Sequence, residues 1–245
     1  MINVRPEDVL HKSYLNKLLI EIIDRPALAH HLAFKGGTCA SMSGYLDRFS
    51  VDLDFDILAH ADETVLRQEF RQIINNLGLT ISGELDNALF FQLRYPNAPG
   101  GRNTIKLSAN SFPAKTNQYK VSYFTEIDRV MNCQTLETMV ANKLVAVTDR
   151  YKLHHTIAGR DIYDVHYFLV HGYGYNAPVI TERTGLAPKD YLEKLVDFIK
   201  NKVTQTIINE DLNTLLPANQ YQQIRKILIP ETISLLTQEL SRLNI

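Results

Sequence analysis

Cysteine is scarce in this chain. Only Cys39 and Cys133 occur in 245 residues, and their separation matches no metal-binding spacing. A disulfide framework and a cysteine zinc site are therefore not expected, and two reduced, buried thiols suit a cytosolic protein. An excess of charge is also missing. The formal net charge is -1, so nothing global draws the chain to nucleic acid or to a membrane, although a local basic patch is compatible with it. No apolar run approaches the ~20 residues that span a bilayer. Residues 1–13 carry charge early and lack the apolar core of a signal peptide. Repeats and low-complexity segments are absent as well. The expectation is a soluble, cytoplasmic protein with no membrane partner.

What is present is ordinary for a folded domain. Hydrophobic residues make up 45% and charged residues 22%, enough for one large domain or two small ones. Residues 6–24 predict a helix, with Leu10, Tyr14, Leu18 and Ile22 at spacing four and Pro6 in a first turn. Leu32, Ala33 and Phe34 form a short apolar run that ends in Gly36-Gly37, read as a brief strand and a tight turn before a helix over residues 38–45. Residues 50–58 alternate, with Val51, Leu53, Phe55 and Ile57 against Asp52, Asp54 and Asp56, as a strand does. A helix over 61–77 closes on Gly78. Strands are expected over 79–85, 88–95, 103–109 and 119–124, the first two joined by a hairpin at Asp86-Asn87. Helices are expected over 135–151, 161–171, 188–202 and 217–243. The fold class is α+β, a mixed sheet with helices over residues 1–130 and helices alone over 131–245.

Two short patterns carry chemistry. Asp52, Asp54 and Asp56 share one face of their strand, since side chains alternate. Such a line can be a solvated edge that discourages aggregation, but edges of that kind favour lysine, and none occurs here. A hard cation fits better, because magnesium takes oxygen ligands from one or two carboxylates and from substrate phosphates. In Gly36-Gly37-Thr38 the glycines let the backbone approach a ligand closely, and Thr38 near a helix start could meet a phosphate or simply cap the helix. A phosphate-holding turn followed by a D-x-D strand is far more specific than either part alone.

The combination resembles the polymerase-β-like nucleotidyltransferase superfamily and, more closely, the AbiEii/AbiGii toxin family. The residues that carry the resemblance are Phe34-Lys35-Gly36-Gly37-Thr38 and Asp47-Arg48-Phe49-Ser50-Val51-Asp52-Leu53-Asp54-Phe55. Further along, Asn142-Lys143-Leu144-Val145-Ala146 is similar to the family's lysine helix, and Gly159-Arg160-Asp161-Ile162-Tyr163-Asp164 to its Arg-Asp-x-x-Asp block. The resemblance implies a polymerase-β-like core, and transfer of a nucleoside monophosphate from an NTP to an acceptor hydroxyl with Mg2+. It implies a tRNA acceptor and a role as the toxin of a bacterial pair with a cognate antitoxin. Asp52 and Asp54 are then the metal ligands, and Gly36, Gly37, Thr38, Arg48 and Lys143 the NTP-binding residues. Asp54, Lys143 and Asp161 are the catalytic candidates, with Asp161 preferred to Asp164. Read from the residues alone, Lys143 lies on or beside an apolar helix stripe, where a lysine either snorkels outward or faces a cleft. Arg48 serves equally well as an ion-pair partner.

The superfamily's third carboxylate is missing from its expected strand, where residues 104–110 offer Ser108 and Asn110. One metal rather than two is therefore expected. Transfer to a small molecule or a protein hydroxyl is the alternative activity, and a catalytically silent nucleotide-binding module is the alternative class.

Overall fold

The computed structural model describes residues 4–58 and 61–243. They fall into two compact units, one running up to Pro113 and including Tyr119–Gln134, the other Ala114–Gln118 with the residues from Thr135 onward.

The first unit holds a seven-stranded mixed sheet. In chain order it contains α1 (Val9–Ile23), α2 (Pro26–Ala29), β1 (Leu32–Lys35), α3 (Gly36–Met42), β2 (Leu53–Ile57), α4 (Glu63–Asn76), β3 (Thr80–Leu85), β4 (Leu89–Arg94), β5 (Thr104–Asn110), β6 (Tyr119–Phe124) and β7 (Arg129–Gln134). The strand order is β3-β4-β5-β2-β1-β7-β6. β1 pairs antiparallel with β2 and parallel with β7, and β2 pairs parallel with β5. This puts β2 in the middle of the sheet, where burial of Leu53, Phe55 and Ile57 follows the period-two pattern. Phe34 packs against Phe55 and Phe124, with ring centroids 5.3 and 5.8 Å apart. α4 packs on β3 and β4 through Leu66, Phe70, Ile73 and Ile74. Its N-cap Asp62 accepts from the Thr64 N–H, and Gly78 follows its end at φ +64°.

The second unit is helical: α5 (Leu136–His154), α6 (Gly159–Val170), α7 (Ala177–Thr184), α8 (Pro188–Lys202), α9 (Gln205–Leu212), α10 (Ala218–Ile224) and α11 (Leu228–Arg242). α6 packs against α5, α9 and α11, and α8 against α11. Thr135 caps α5 by accepting from the Thr138 N–H. The arrangement is α+β, as expected.

Several local readings are corrected. The buried face of α1 is His11, Leu15, Leu18, Leu19 and Ile22, and Leu10 is exposed, so Leu18 and Ile22 lie on the predicted stripe while its first half sits one residue further on, at His11 and Leu15. The glycine turn is already the first turn of α3. The predicted strand over 50–58 begins only at Leu53, because its partner β1 ends opposite Asp54 at Lys35 and the chain there turns into α3. β7, α7 and α9 were not predicted. β7 has apolar residues at Val130, Met131 and Cys133 but no clean alternation. The single helix expected over 217–243 is two, α10 and α11. The two thiols, distant in sequence, lie beside each other, and Cys133 donates to the Ser122 hydroxyl at 3.1 Å. Burial, with Cys133 beside it, raises the Cys39 thiol well above the usual range, and both thiols are free.

Candidate active site

The short β1 delivers the chain straight into α3, and β2 runs back beside it. This brings the predicted residues of the first unit into pairwise contact. Gly36 has φ +78°, and a Cβ there would lie 2.9 Å from Asp54 Oδ2. Only glycine tolerates both the backbone and the approach. At Gly37 a Cβ would lie 2.8 Å from Arg48 Nη2 and 2.9 Å from Ser50 Oγ. Thr38 donates its hydroxyl to the Asp52 carbonyl, which ties α3 to the segment entering β2. That proton is committed, so a phosphate at this turn would have to be met by backbone N–H groups. Arg48 is only 2% exposed and donates from Nη1 to the Phe49 carbonyl at 3.0 Å.

The three aspartates do not form one line. Asp52 precedes the strand, and its Oδ1 accepts from the Lys106 N–H at 3.1 Å. Asp54 is half-buried. Its strand neighbour on β5 is Ser108, whose hydroxyl donates to Asp54 Oδ1 at 2.6 Å. Ser108 thus fixes the rotamer of Asp54 and leaves Oδ2 on the Gly36 side. Asp56 is fully buried. Lys35 approaches its Oδ1 at 2.5 Å, while Tyr119 at 3.0 Å and Gln134 at 2.7 Å donate to its Oδ2. Asp56 is a structural acid, and its neighbours account for its burial.

Sequence reading missed a residue behind this segment. His11 is fully buried, with Nε2 2.9 Å from the Val51 carbonyl and Nδ1 2.6 Å from the Tyr95 hydroxyl. The Val51 carbonyl can only accept, so Nε2 carries the proton of the neutral ring, and the Tyr95 hydroxyl beside Nδ1 also donates to the Arg102 carbonyl at 2.6 Å. Burial lowers the His11 pKa to about 4. The signal was a histidine three and four residues ahead of Tyr14 and Leu15 on an amphipathic helix, which alone does not separate core from surface.

The second unit gathers the other candidates. Lys143 Nζ lies 2.8 Å from Asp161 Oδ1 and 2.8 Å from Asp164 Oδ2. Asp161 and Asp164 are 3% and 0% exposed, and Lys143 is 18% exposed. Lys143 therefore neither snorkels nor stands alone, and both acids of the Arg-Asp-x-x-Asp block reach it. At Asp161 burial acts to raise the pKa, but the Lys143 charge and hydrogen bond, with Arg150 and Arg160, more than offset it and hold the carboxyl below its usual range. Gly36, Gly37, Thr38, Arg48, Asp52 and Asp54 thus belong to one unit, and Lys143, Asp161 and Asp164 to the other.

The set fits magnesium. Among the described residues no group of three or more His, Cys, Asp or Glu gathers around one point. Magnesium does not need one, since one or two carboxylates, water and substrate phosphates complete its shell. Asp54, held by Ser108 through one oxygen, offers the other. Among the described residues no helix is long and apolar enough to cross a membrane.

Comparison with known proteins gives this geometry a family. No curated protein matches the chain. Among solved structures it is similar to JHP933 from Helicobacter pylori, at 21% identity and a TM-score of 0.56, over 99% of this chain and 97% of that one. It is also similar to MenT4, a nucleotidyltransferase toxin from Mycobacterium tuberculosis H37Rv, at 17% identity and a TM-score of 0.59, over 97% and 88%. These likenesses show the fold. Residues 17–234 match the family described as nucleotidyl transferase AbiEii toxin of type IV toxin–antitoxin systems. With a match that spans most of the chain and both groups of site residues, the protein belongs to the AbiEii family and is a nucleotidyltransferase.

Proposed function

We propose that the protein transfers a nucleoside monophosphate from an NTP to an acceptor hydroxyl on RNA, with tRNA as the acceptor, and that a cognate antitoxin restrains it. The observation that carries this reading is the contact between Gly36 and Asp54, in which a backbone free of side chain lies beside a carboxylate whose other oxygen is held by Ser108. Asp52 and Asp54 hold Mg2+, and Gly36, Gly37 and Thr38 hold the terminal phosphates through their backbone. Bound magnesium supplies charge neutralisation at the phosphates. Arg48, packed against Gly37, positions that turn or reaches the phosphates itself. Lys143 offsets negative charge on the phosphates during in-line attack. Asp161 orients Lys143 through their 2.8 Å contact and is the candidate to take the acceptor's proton. A nucleotidyltransferase core in residues 1–130, completed by the helical region 131–245, belongs to the same proposal, as does a cytoplasmic location.

The test uses the whole protein with magnesium, each α-labelled NTP in turn, and total cellular RNA plus protein. Label is expected in a tRNA band and is expected to fall at least a thousandfold in Asp54→Ala with the fold intact. Label in a protein band or a small molecule would move the acceptor. NTP binding without label anywhere would favour a silent nucleotide-binding module.

A further inference from the structure

The helical unit carries a recess that the reading above leaves unused. It has a volume of about 270 Å³ and is lined by Arg150, Thr156, Arg160, Glu210 and Asp211, with Ile207 among its apolar walls. Its frame is rigid. A Cβ on Gly159 would lie 2.8 Å from the Ile207 carbonyl oxygen, so α6 and α9 meet at backbone distance. Asp211 accepts from the Arg160 N–H at 3.1 Å and from Arg160 Nη1 at 3.2 Å. The charge of Arg160 is thereby matched from within.

Arg150 is placed differently. Its Nε is buried without a hydrogen-bond partner, and so is Asp161 Oδ2. The two atoms face each other at 3.6 Å, too far for a charge-assisted hydrogen bond. Buried polar atoms left in this state are rare in a folded protein. The side chain as a whole is nevertheless 40% exposed, so its exposure falls on parts other than Nε. The guanidinium thus links the Lys143–Asp161 pair to the recess, which exposed Glu210 also lines.

We propose that this recess takes one nucleotide of the acceptor RNA, Arg150 donating to its phosphate and Glu210 accepting from its ribose 2′-hydroxyl. The proposal rests on RNA being the acceptor. A planar guanidinium fork matches phosphate oxygens. A carboxylate accepts from hydroxyls and repels phosphates, so the two side chains favour different groups of a nucleotide. The 2′-hydroxyl is also the group by which a protein separates RNA from DNA. The volume lies near the lower end of small-ligand pockets, which suits a single nucleotide.

The experiment measures binding of a labelled single-stranded RNA and its DNA counterpart to the whole protein by fluorescence anisotropy, over a range of salt. Wild type is expected to prefer RNA. Arg150→Ala is expected to weaken both ligands about tenfold and to lower the salt slope by about one. Glu210→Ala, an exposed change that removes the acceptor, is expected to cost RNA binding and not DNA binding, and so to abolish the RNA preference. Arg150→Ala binding RNA like wild type, or Glu210→Ala keeping the full RNA preference, would overturn the subsite. Wild type that binds NTP but neither nucleic acid would overturn the RNA acceptor itself, and the subsite with it.

Discussion

Asp56 in the sheet and Asp161 in the helical unit are both buried acids beside a lysine, and they are not equally satisfied. Asp56 meets Lys35, Tyr119 and Gln134, so both of its oxygens are engaged. Asp161 gives one oxygen to Lys143 and leaves the other without a partner at 3.6 Å from the Nε of Arg150, which is equally unserved. A buried ion pair is weak evidence of stability in itself, because desolvation opposes the attraction. What separates a structural pair from a working one is whether the remaining hydrogen-bonding capacity is filled. Completion at Asp56 ties β1, β2, β6 and β7 together, whereas Asp161 Oδ2 is left open.

Three substitutions sharpen or break that contrast. Asp56→Ala has the largest expected effect. It removes an acceptor shared by three buried or half-buried donors and should cost about 3 kcal/mol or more in chemical denaturation. A loss below ~1 kcal/mol would mean the network is dispensable and the contrast false. Asp161→Asn keeps the shape while removing the charge that orients Lys143. Transfer should fall about a hundredfold with a much smaller change in stability. If stability fell as far as with Asp56→Ala, Asp161 would be structural too. His11→Gln has the smallest expected effect and tests the support behind Asp52. The His11 pKa is lowered from 6.5 to about 4. The unfolded chain therefore binds more protons than the folded one between those values, and stability falls as pH drops through that window. His11→Gln should flatten that part of the stability–pH profile. A profile with unchanged slope would show that another group sets it.

The fold class and most elements were legible because their signals are local. The alternation of Leu53, Phe55 and Ile57, the stripe of α4 with Gly78 after its end, and Pro188 at the start of α8 each act within a few residues. The boundaries that failed depended on partners. Asp52 left the strand because β1 had ended beside it. β7 pairs with β1 and β6 yet carries little pattern of its own. The helix over 217–243 broke after Ile224, where Leu228 and Thr232 turn into the core, and here a local signal did exist, because Pro230 in the first turn of α11 cannot continue a helix from the preceding turn.

The same division holds for the site. Taken alone, the sequence determined the chemistry on offer: a glycine pair whose backbone tolerates close approach, an Asp-x-Asp strand, a lysine on an apolar helix and an Arg-Asp-x-x-Asp block, recognisable because residue type and short spacing are enough to define them. Only the tertiary structure decided which aspartate was buried, that Ser108 holds Asp54, that His11 supports Val51, and that Arg150 faces an unpartnered oxygen of Asp161. Each of those depends on strand register or helix packing between segments 11 to 78 residues apart, and hydrogen-bond geometry at that separation is set by the packed core rather than by any local pattern.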